Sequence, residues 1–493
     1  MSPGGSDSAA RGRLASYEVT AIAGVLSLLP RLYVAIAWAR EPVWDGHYYD
    51  FGARRIAGGL GYSADRATDS GLVWQPWCHY PVGYSGFLGV VYALFGDGPT
   101  VAPIANAIVG ALLVVLVHRL ALRLTTPARA LIATALLGLS PVLIAFAPLL
   151  MTEPLAAAGL VAAPLAYLAV RTRSRIAAAA AAGAILGLVT LVRPQSILCA
   201  PALAFLAWND LDSASVRRRL QHAGVVVSIA AATCLAFVAP WSVRNCRVMD
   251  GCAWVSTNGG WNLAIGSSPR ATGRFEPLHG SDGCSEVTGQ VQQDRCWQRQ
   301  GLAWIGAAPM RWLELIPKKL GYTFDHQSFA AGYLGEADPT AWPEPRRATF
   351  RSWLTVSGRA LLVVALLGAI ALPRRRGWTI ARAAALAITL GLAAGAAFGE
   401  TWGAWPLAVA IPIAAFARRH VGPDLPRPEA RGIFGYLAFV VGSTCVVHAV
   451  FFGEDRYQIV VVPALSLLAA LALSPPPLAK AWAKATGDLA RDV

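Results

Sequence analysis

Apolar runs close to 20 residues long recur along the whole chain, and short polar segments separate them. A helix needs about 20 mainly apolar residues to cross a membrane. The runs lie at 17–39, 101–117, 130–148, 154–170, then 176–192 with 195–208 as a short pair, and at 223–241, 356–373, 378–398, 403–417, 432–452 and 457–473, of which 403–417 is also short. The pattern therefore predicts an all-α polytopic membrane protein with about twelve transmembrane helices.

One further apolar run, from Tyr80 to Phe95, is short for a transmembrane helix. If it crossed the membrane, the basic segment from His118 to Arg129 would lie outside. If it lies in the outer interface, that basic segment lies inside, as the positive-inside rule requires. We therefore expect an interfacial or re-entrant helix at this point.

The polar stretches between the runs define the expected domain organisation. The predicted segments are a cytoplasmic tail at 1–16, an N-terminal transmembrane core at 17–241 with its first outer loop at 40–100, a large extracytoplasmic loop at 242–355, C-terminal transmembrane helices at 356–473, and a cytoplasmic tail at 474–493. The first tail is polar and small in composition, which indicates disorder. The large outer loop is rich in Trp, Gly, Pro and Cys, and we expect it to be irregular and to cap the bundle.

Composition and charge support the membrane assignment. Of the 493 residues, only 14% are charged and 55% are hydrophobic, whereas soluble domains carry about 25% charged residues. The net charge of +14 does not indicate nucleic acid as a partner, because the arginines cluster in short loops at 171–175, 217–219, 374–376 and 418–420. Such clusters mark cytoplasmic loops. The sequence thus predicts a multi-pass protein of the plasma (inner) membrane with both termini inside.

Of the eight cysteines, five lie in the predicted outer segments, where disulfides can persist. Cys284 and Cys296 form the favoured pair, and Cys246 with Cys252 is a possible second pair. No cysteine spacing resembles a zinc site.

One charged side chain, Arg31, lies inside the first apolar run. A charge within the membrane is costly and usually faces protein or water. A long side chain can also extend to the interface. The sequence leaves both orientations open.

The richest chemistry lies just after the first run. The stretch from Trp44 to Asp50 packs two carboxylates, a histidine and three aromatic residues into seven positions, and His47 to Ala57 could form a short helix on the membrane. Other ionisable groups stand at the outer ends of later runs: Glu153, Arg193, Arg244, and Glu454 to Tyr457. Taken singly, an acid at a helix start complements the helix dipole and an arginine at a span end extends to the interface. Those explanations give no reason for so many such groups on one face.

A lipid-linked sugar substrate gives such a reason. Its apolar tail would stay in the bilayer, and arginines suit its phosphate at the interface. Asp45, placed beside the anomeric carbon, can accept a proton from an acceptor hydroxyl, and direct displacement would invert the anomeric configuration. A second carboxylate, Glu153, can orient the acceptor or, with Asp45, hold a divalent cation such as Mg²⁺ or Mn²⁺.

A series of short motifs extends from the first span to the last. They are Arg31, Trp44-Asp45 with Tyr49 and Ala53, Tyr80-Pro81-Val82-Gly83-Tyr84, Thr152-Glu153-Pro154, Leu191-Val192-Arg193-Pro194, Pro240-Trp241 with Arg244-Asn245, Asn258-Gly259-Gly260 with Asn262-Leu263 and Gly266, Ala271-Thr272-Gly273, and Arg456-Tyr457 before Pro463. In these motifs the sequence resembles the polytopic GT-C glycosyltransferases. The resemblance is to glycosyltransferase family 39, the group of protein O-mannosyltransferases and lipid A aminoarabinose transferases.

The resemblance implies the GT-C fold and a membrane enzyme that transfers a sugar from a polyprenyl or dolichyl phosphate on the outer face. It implies that Asp45 is the catalytic residue, that Glu153 is the second acid, and that Arg244 and Arg456 contact the lipid phosphate. The candidate catalytic residues are thus Asp45 and Glu153, and the candidate substrate-binding residues are Tyr49, Asp50, His79, Tyr80, Arg193, Arg244, Asn258, Arg456 and Tyr457.

Two positions depart from the family pattern. Many members have Asp-Glu where this chain has Asp45-Gly46. The aminoarabinose transferases have Lys-Pro-Pro where this chain has His79 to Val82. The sugar therefore stays open, and the acceptor can be a lipid, a glycan or a protein.

Two other classes of function compete with a transferase. A transporter or flippase for lipid-linked sugars would place ionisable groups near the membrane midplane and often shows paired repeats. Here the midplane is mostly Ala, Leu and Val. A polytopic assembly factor would use the large outer loop for binding, and its function would survive the loss of Asp45.

Overall fold

The computed structural model describes residues 4–69, 71–211, 213–370, 380–398, 403–419 and 429–473. This part of the chain is almost entirely helical and contains one two-stranded sheet. The predicted arginine cluster at 374–376 and the predicted tail at 474–493 lie outside the described residues, and the cluster at 418–420 lies at their edge.

The elements of the first half follow one another closely. They are α1 (Gly4–Ala37), α2 (Asp45–Ala57), β1 (Ser63–Thr68), β2 (Gly71–Pro76), α3 (Val82–Phe95), α4 (Val101–Leu124), α5 (Pro127–Gly138), α6 (Pro141–Ala145), α7 (Glu153–Val170), α8 (Arg175–Val192), a 3₁₀ segment (Pro194–Cys199), α9 (Leu203–Asn209) and α10 (Val216–Val248). The two strands pair antiparallel, from Ser63 opposite Pro76 to Thr68 opposite Gly71.

The second half is also helical. Its elements are α11 (Gly259–Ser267), a 3₁₀ turn (Gly280–Asp282), α12 (Gln290–Ala307), α13 (Pro309–Phe324), α14 (Phe329–Ala337), α15 (Glu344–Ile370), α16 (Ile380–Phe398), α17 (Trp405–Arg419), α18 (Ala430–Val450), a 3₁₀ segment (Asp455–Val461) and α19 (Val462–Ala472). The last 3₁₀ segment and α19 form one continuous span.

Among the described residues, eight helical segments are long and apolar enough to cross a membrane. They are Glu18–Ala37, Val101–Leu124, Glu153–Val170, Arg175–Val192, Val216–Val248, Glu344–Ile370, Ala430–Val450 and Asp455–Ala472, and shorter apolar helices occur at Val82–Phe95, Pro127–Gly138, Ala383–Gly395 and Trp405–Ala417. The predicted all-α polytopic architecture is confirmed. The number of about twelve crossings stays a prediction.

Prolines divide two of the predicted runs. The run at 130–148 is broken between α5 and α6, because Pro141 disfavours helical backbone at the residue before it. The run at 195–208 consists of a 3₁₀ segment and the short α9, with Pro201 between them. Neither run is a continuous transmembrane helix.

The predicted disorder at 1–16 is wrong for residues 4–16, which belong to α1. The segment contains good helix formers, including alanines and arginines. It is also continuous with an apolar helix, so extending the helix requires no new nucleation.

The large outer loop is shorter and more ordered than expected. Helix α10 continues to Val248 and α15 already begins at Glu344, so the region between them is 249–343 and contains α11 to α14. A small core of Ala264, Cys284 and Trp297 joins α11 to α12. The expected disulfides Cys284–Cys296 and Cys246–Cys252 are both present. Tertiary packing and these bridges stabilise helices that composition alone did not indicate.

Arg31 faces protein. The side chain is 1% exposed, and its guanidinium donates to the carbonyl oxygens of Ser27 at 2.7 Å, Gly138 at 2.8 Å and Leu137 at 3.2 Å. The carbonyl groups of Leu137 and Gly138 belong to the last turn of α5, where carbonyls accept no hydrogen bond within the helix. Arg31 therefore caps α5 and fixes it against α1.

Candidate active site

The charged groups at the ends of four spans meet at one end of the bundle. Asp45 follows α1, Glu153 begins α7, Arg193 follows α8, and Arg456 lies in the first turn of the last span. Direct contacts connect all four: Asp45 with Arg456, Arg456 with Glu153, and Glu153 with Arg193. The sequence prediction that these residues share one face is consistent with this arrangement.

Asp45 begins α2 and is held from two sides. Tyr80 donates its hydroxyl to Oδ1 at 2.7 Å, and Arg456 donates Nη1 to Oδ2. Burial alone would raise the pKa of Asp45, but the Arg456 cation and the Tyr80 hydroxyl together hold that pKa below the ordinary value. The Asp45 side chain remains 21% exposed. It is therefore an ionised carboxylate that a substrate can reach.

The backbone around Asp45 is shaped by α14. Trp44 has a positive φ of 51°, a conformation uncommon for any residue other than glycine. Its ring packs against Phe329 and Tyr333 with centroid distances of 5.5 and 5.9 Å. A Cβ on Gly46 would lie 2.4 Å from the Tyr333 hydroxyl oxygen, so a side chain here would require Tyr333 to move. The close packing of α14 on this turn is therefore matched to a glycine after Asp45.

The same helix α14 also holds Arg456. Asp455 accepts backbone N–H groups from Ser328 and Phe329 at 2.9 Å each, which fixes the last 3₁₀ segment to the start of α14. The Phe329 ring lies 4.9 Å from the Arg456 guanidinium carbon. One short helix thus sets the distance between Asp45 and Arg456.

Glu153 and Arg193 form a buried ion pair with an N–O distance of 2.6 Å, and their side chains are 1% and 9% exposed. Arg193 also donates to the Thr152 hydroxyl at 3.1 Å. With the Gln195 amide turned so that its oxygen faces Arg193, that oxygen accepts from Nε and Nη2 at 3.1 and 3.0 Å. Arg193 thus holds Glu153 in place.

Arg456 lies at the centre of three carboxylates. It contacts Asp45, its Nε is 2.5 Å from Glu454 Oε2, and the same nitrogen is 3.9 Å from Glu153 Oε1. Burial raises the pKa of Glu454, and the nearby Asp45 and Glu153 add to that effect while Arg456 opposes it. Glu454 was not among the predicted site residues, although its position two residues before Arg456 was the available signal.

Tyr457 and Tyr49 complete the buried side of the site. The Tyr457 ring stacks on His448 at 4.2 Å, and the guanidinium carbons of Arg193 and Arg456 both lie 5.1 Å from its centroid. Tyr49 is 5% exposed and packs edge-on against Tyr80. Burial, together with Asp45, raises the pKa of Tyr49 well above its ordinary value. Both tyrosines are therefore neutral walls of the site.

His79 lies on the side of the site that faces α11, which we call the open side. Its ring packs edge-on against Tyr80 at 5.0 Å and against Trp261 of α11 at 5.7 Å. Burial lowers its pKa, although Asp45 opposes that shift. His79 is thus a neutral imidazole next to Asp45.

Two predicted binding residues point elsewhere. Asp50 accepts from the Tyr92 hydroxyl at 2.5 Å and from Arg54 Nε at 2.7 Å, so it fixes α2 to α3. Arg244 donates to the backbone carbonyls of Tyr62 at 2.7 Å and Trp77 at 3.1 Å. Each of these charges is used by the protein to hold the first outer loop in place.

Asn258 lies beside the open side of the site. It accepts from the Ser256 hydroxyl at 2.8 Å, and the neighbouring Thr257 donates its N–H to the Cys78 carbonyl at 2.9 Å. The segment 256–258 therefore follows the chain from Cys78 to Tyr80. Asn258 stays a candidate for substrate contact.

The Arg456 guanidinium lies between Asp45 and Glu153, where a shared divalent cation would sit. Mg²⁺ would require several oxygen ligands at about 2.0–2.1 Å. Within the described ranges, no group of three or more His, Cys, Asp or Glu side chains is placed to hold a metal ion. The positive charge at this site is supplied by an arginine.

Comparison with known proteins agrees with the resemblance in the motifs. Residues 79–242, a third of the chain, match the family model described as dolichyl-phosphate-mannose-protein mannosyltransferase. That segment includes Glu153 and Arg193. No curated protein sequence matches the chain.

Several solved structures are similar over most of this chain. The oligosaccharyltransferase of Archaeoglobus fulgidus, tethered with an acceptor peptide, is 14% identical, with a TM-score of 0.46 over 96% of this chain and 53% of its own. The same archaeon's AglB in complex with an inhibitory peptide and dolichol-phosphate is 15% identical, with a TM-score of 0.45 over 96% and 54%. ArnT from Cupriavidus metallidurans bound to undecaprenyl phosphate is 16% identical, with a TM-score of 0.35 over 90% and 77%. The chain spans about half the length of the oligosaccharyltransferase chains.

Proposed function

We propose that this protein is a membrane glycosyltransferase that transfers a sugar from a polyprenyl-phosphate donor to an acceptor hydroxyl. The observation that carries the proposal is the reachable Asp45 carboxylate, held by Tyr80 and Arg456 where four spans end. A lipid-linked donor brings its phosphate to the same depth while its tail stays in the bilayer. The family match, whose description names a lipid-phosphate sugar donor, supports this assignment.

The donor phosphate is assigned to Arg456. Arginine binds phosphate through two parallel N–H groups. Arg456 Nε is buried without a hydrogen-bond partner of suitable geometry among the described residues, whereas Arg193 donates to Glu153 and Thr152. Glu454, whose pKa burial raises, is more easily protonated than an exposed glutamate. A proton on Glu454 reduces the negative charge that an incoming phosphate meets.

Asp45 is the general base of the transfer. The acceptor oxygen attacks the anomeric carbon, its proton passes to Asp45, and the bond from that carbon to the phosphate oxygen breaks. The electron pair leaves with the polyprenyl phosphate, which Arg456 stabilises. Attack opposite the leaving group inverts the anomeric configuration, and no strong general acid is required because the leaving group is a stable anion.

Donor binding also prepares the base. Arg456 and Tyr80 hold the pKa of Asp45 low in the absence of substrate, against the effect of burial. A phosphate that takes hydrogen bonds from Arg456 draws the cation away from Asp45, and the Asp45 pKa then rises. A carboxylate with a higher pKa is a stronger base. Donor binding therefore precedes acceptor deprotonation in this mechanism.

We expect sugar transfer without a divalent cation, because Arg456 supplies the positive charge at the phosphate. The measurement is the initial rate of purified protein after dialysis against EDTA, compared with the rate after Mg²⁺ or Mn²⁺ is added back. Equal rates are expected. A loss of activity with EDTA that either metal restores would contradict the assignment of this role to Arg456.

The location that fits these features is the plasma membrane, with the active site on the extracytoplasmic face. Cys246–Cys252 and Cys284–Cys296 lie between α10 and α15 or at the end of α10. Disulfides persist in oxidising compartments and are rare in the cytosol. The bridged region belongs to the same end of the bundle as Asp45, because Thr257 is bonded to Cys78 and Trp261 packs on His79.

The test of the proposed function is the release of free polyprenyl phosphate by purified protein in lipid nanodiscs. With polyprenyl-phosphate mannose and a mixed pool of acceptors, we expect the amount of polyprenyl phosphate released to equal the amount of sugar incorporated into acceptor. A flippase would instead move intact donor between leaflets of proteoliposomes without release. Donor movement without any polyprenyl phosphate or transferred sugar would replace the transferase assignment with a transporter.

A further inference from the structure

We infer that the acceptor is a neutral carbohydrate whose ring stacks on an aromatic platform formed by Tyr48, Trp77 and Tyr80. This inference rests on the proposed function and names the acceptor that the same site takes. The platform joins the Asp45 carboxylate to the open side of the site. An acceptor ring placed on it brings its hydroxyl groups to the base.

The three rings form one contiguous cluster. Tyr48 stacks on Tyr80 with a centroid distance of 5.4 Å and on Trp77 with 6.0 Å, both at an interplanar angle of 29°. Trp77 and Tyr80 are tilted by 57° to each other at 5.8 Å, so a sugar ring would stack on the exposed Tyr48 ring. Tyr80 donates to Asp45 at 2.7 Å, so the inner end of the platform is the catalytic carboxylate itself. The outer end is open, since Tyr48 is 46% exposed.

The geometry suits a sugar ring. Aromatic faces carry a partial negative charge, and the C–H bonds on one side of a pyranose ring present a weakly positive, apolar face to them. Polar side chains beside a flat apolar surface can hydrogen-bond the hydroxyls at the ring edge. Thr257 donates its N–H to the Cys78 carbonyl at 2.9 Å, which brings the neighbouring Asn258 to the segment that carries Trp77 and Tyr80.

The charge of the platform selects against phosphorylated acceptors. Tyr48, Trp77, Tyr80 and Asn258 are neutral, and burial lowers the pKa of His79 so that it is neutral as well. The arginines of the site have other partners: Arg193 pairs with Glu153, Arg244 donates to the backbone carbonyls of Tyr62 and Trp77, and Arg456 is assigned to the donor phosphate. None of these three described arginines is left for a phosphorylated lipid headgroup, whereas a neutral glycan requires none.

A purely structural or membrane-anchoring role for Tyr48 is distinguishable. Exposed tyrosines also occur at membrane interfaces, where their apolar surface matters more than the plane of the ring. Leucine would serve that purpose equally well. A sugar platform instead requires an aromatic face, which phenylalanine keeps and leucine removes.

The experiment measures transfer from polyprenyl-phosphate mannose to three acceptor types: a panel of neutral oligosaccharides, a threonine-containing peptide, and lipid A as a phosphorylated glycolipid. We expect an oligosaccharide to be the preferred acceptor. The KM for that oligosaccharide should rise about fivefold to tenfold in Tyr48→Leu and stay within about twofold of wild type in Tyr48→Phe. Trp254→Ala, at a 60% exposed tryptophan outside the platform, is the matched control and should behave as wild type.

Two outcomes overturn the acceptor assignment while leaving the transferase intact. One is a preference of the wild type for the peptide or for lipid A over every neutral oligosaccharide. The other is an oligosaccharide KM in Tyr48→Leu equal to that of Tyr48→Phe. If the wild type releases no polyprenyl phosphate with any acceptor, the proposed function itself fails, and the acceptor assignment fails with it.

Discussion

Asp45→Asn is expected to lower sugar transfer about 10³-fold, within the usual range of about 10²–10⁴ for the loss of a general base. Asparagine keeps the shape of Asp45: its one oxygen can accept from Arg456, and its NH₂ group can donate to the Tyr80 hydroxyl, the two groups that now hold the carboxylate. It cannot take the acceptor proton. The measurement is the rate of polyprenyl phosphate release, with donor binding measured on the same preparation.

Asp50→Asn is the matched control for this substitution. Both acids lie on α2, but Asp50 is bonded to Tyr92 and Arg54 and does not contact the Asp45 group. Its replacement should affect the stability of the first outer loop and should not remove the chemistry. Equal losses in the two variants, or a wild-type rate in Asp45→Asn with donor binding intact, would remove Asp45 from the mechanism and move attention to Glu153.

Sequence reasoning was most informative for the residues that lie at the ends of the spans. Asp45, Glu153, Arg193 and Arg456 each lie at or near the end of an apolar run, and the positive-inside rule assigns those ends to one side. Position along the membrane normal is therefore readable from hydropathy. Their mutual contacts follow because a compact bundle brings neighbouring span ends together.

The direction of a side chain around its helix was harder to predict. Asp50 lies five residues after Asp45 on α2, and a helix turns about 100° per residue. The two carboxylates therefore point to different sides, and Asp50 meets α3 instead of the site. Its proximity in sequence suggested a shared role that the helical geometry does not permit.

Arg244 shows a second limit of prediction from sequence: the groups that accept its hydrogen bonds were not recognised. The hairpin of β1 and β2 was not predicted, since its strands lack a regular alternation of apolar residues and are mostly exposed. The carbonyls that Arg244 binds, at Tyr62 and Trp77, flank this hairpin. The family resemblance, which implied that Arg244 contacts the lipid phosphate, gives no information about these carbonyls.

Gly46 illustrates a contact between distant parts of the chain. The space that its missing side chain leaves is filled by the hydroxyl of Tyr333 in α14. That helix lies in the outer loop that the sequence described only as irregular. The departure from the Asp-Glu pattern was visible in the sequence, but the tertiary packing that is matched to it was not.

Arg193→Met is expected to destabilise the protein by about 3 kcal/mol, because it removes the close partner of the buried Glu153 charge and leaves only Arg456, at 3.9 Å. Glu153 is 1% exposed and its Oε1 accepts from Arg193 at 2.6 Å. The double variant Arg193→Met with Glu153→Met should regain most of that loss, since an apolar pair of similar volume often replaces a buried ion pair at little cost. The measurement is the midpoint of thermal or denaturant unfolding in detergent or nanodiscs.

The exposed pair Arg40–Asp338, with side chains 41% and 21% exposed, supplies the control. Arg40→Met should cost at most about 1 kcal/mol, as exposed ion pairs usually do. A double variant as unstable as Arg193→Met alone would contradict the idea that the unpaired Glu153 charge causes the loss. Activity of the refolded double variant then separates the two roles of Glu153: transfer at the wild-type rate would make it a structural acid, whereas a folded but inactive protein would make it part of the chemistry around Arg456.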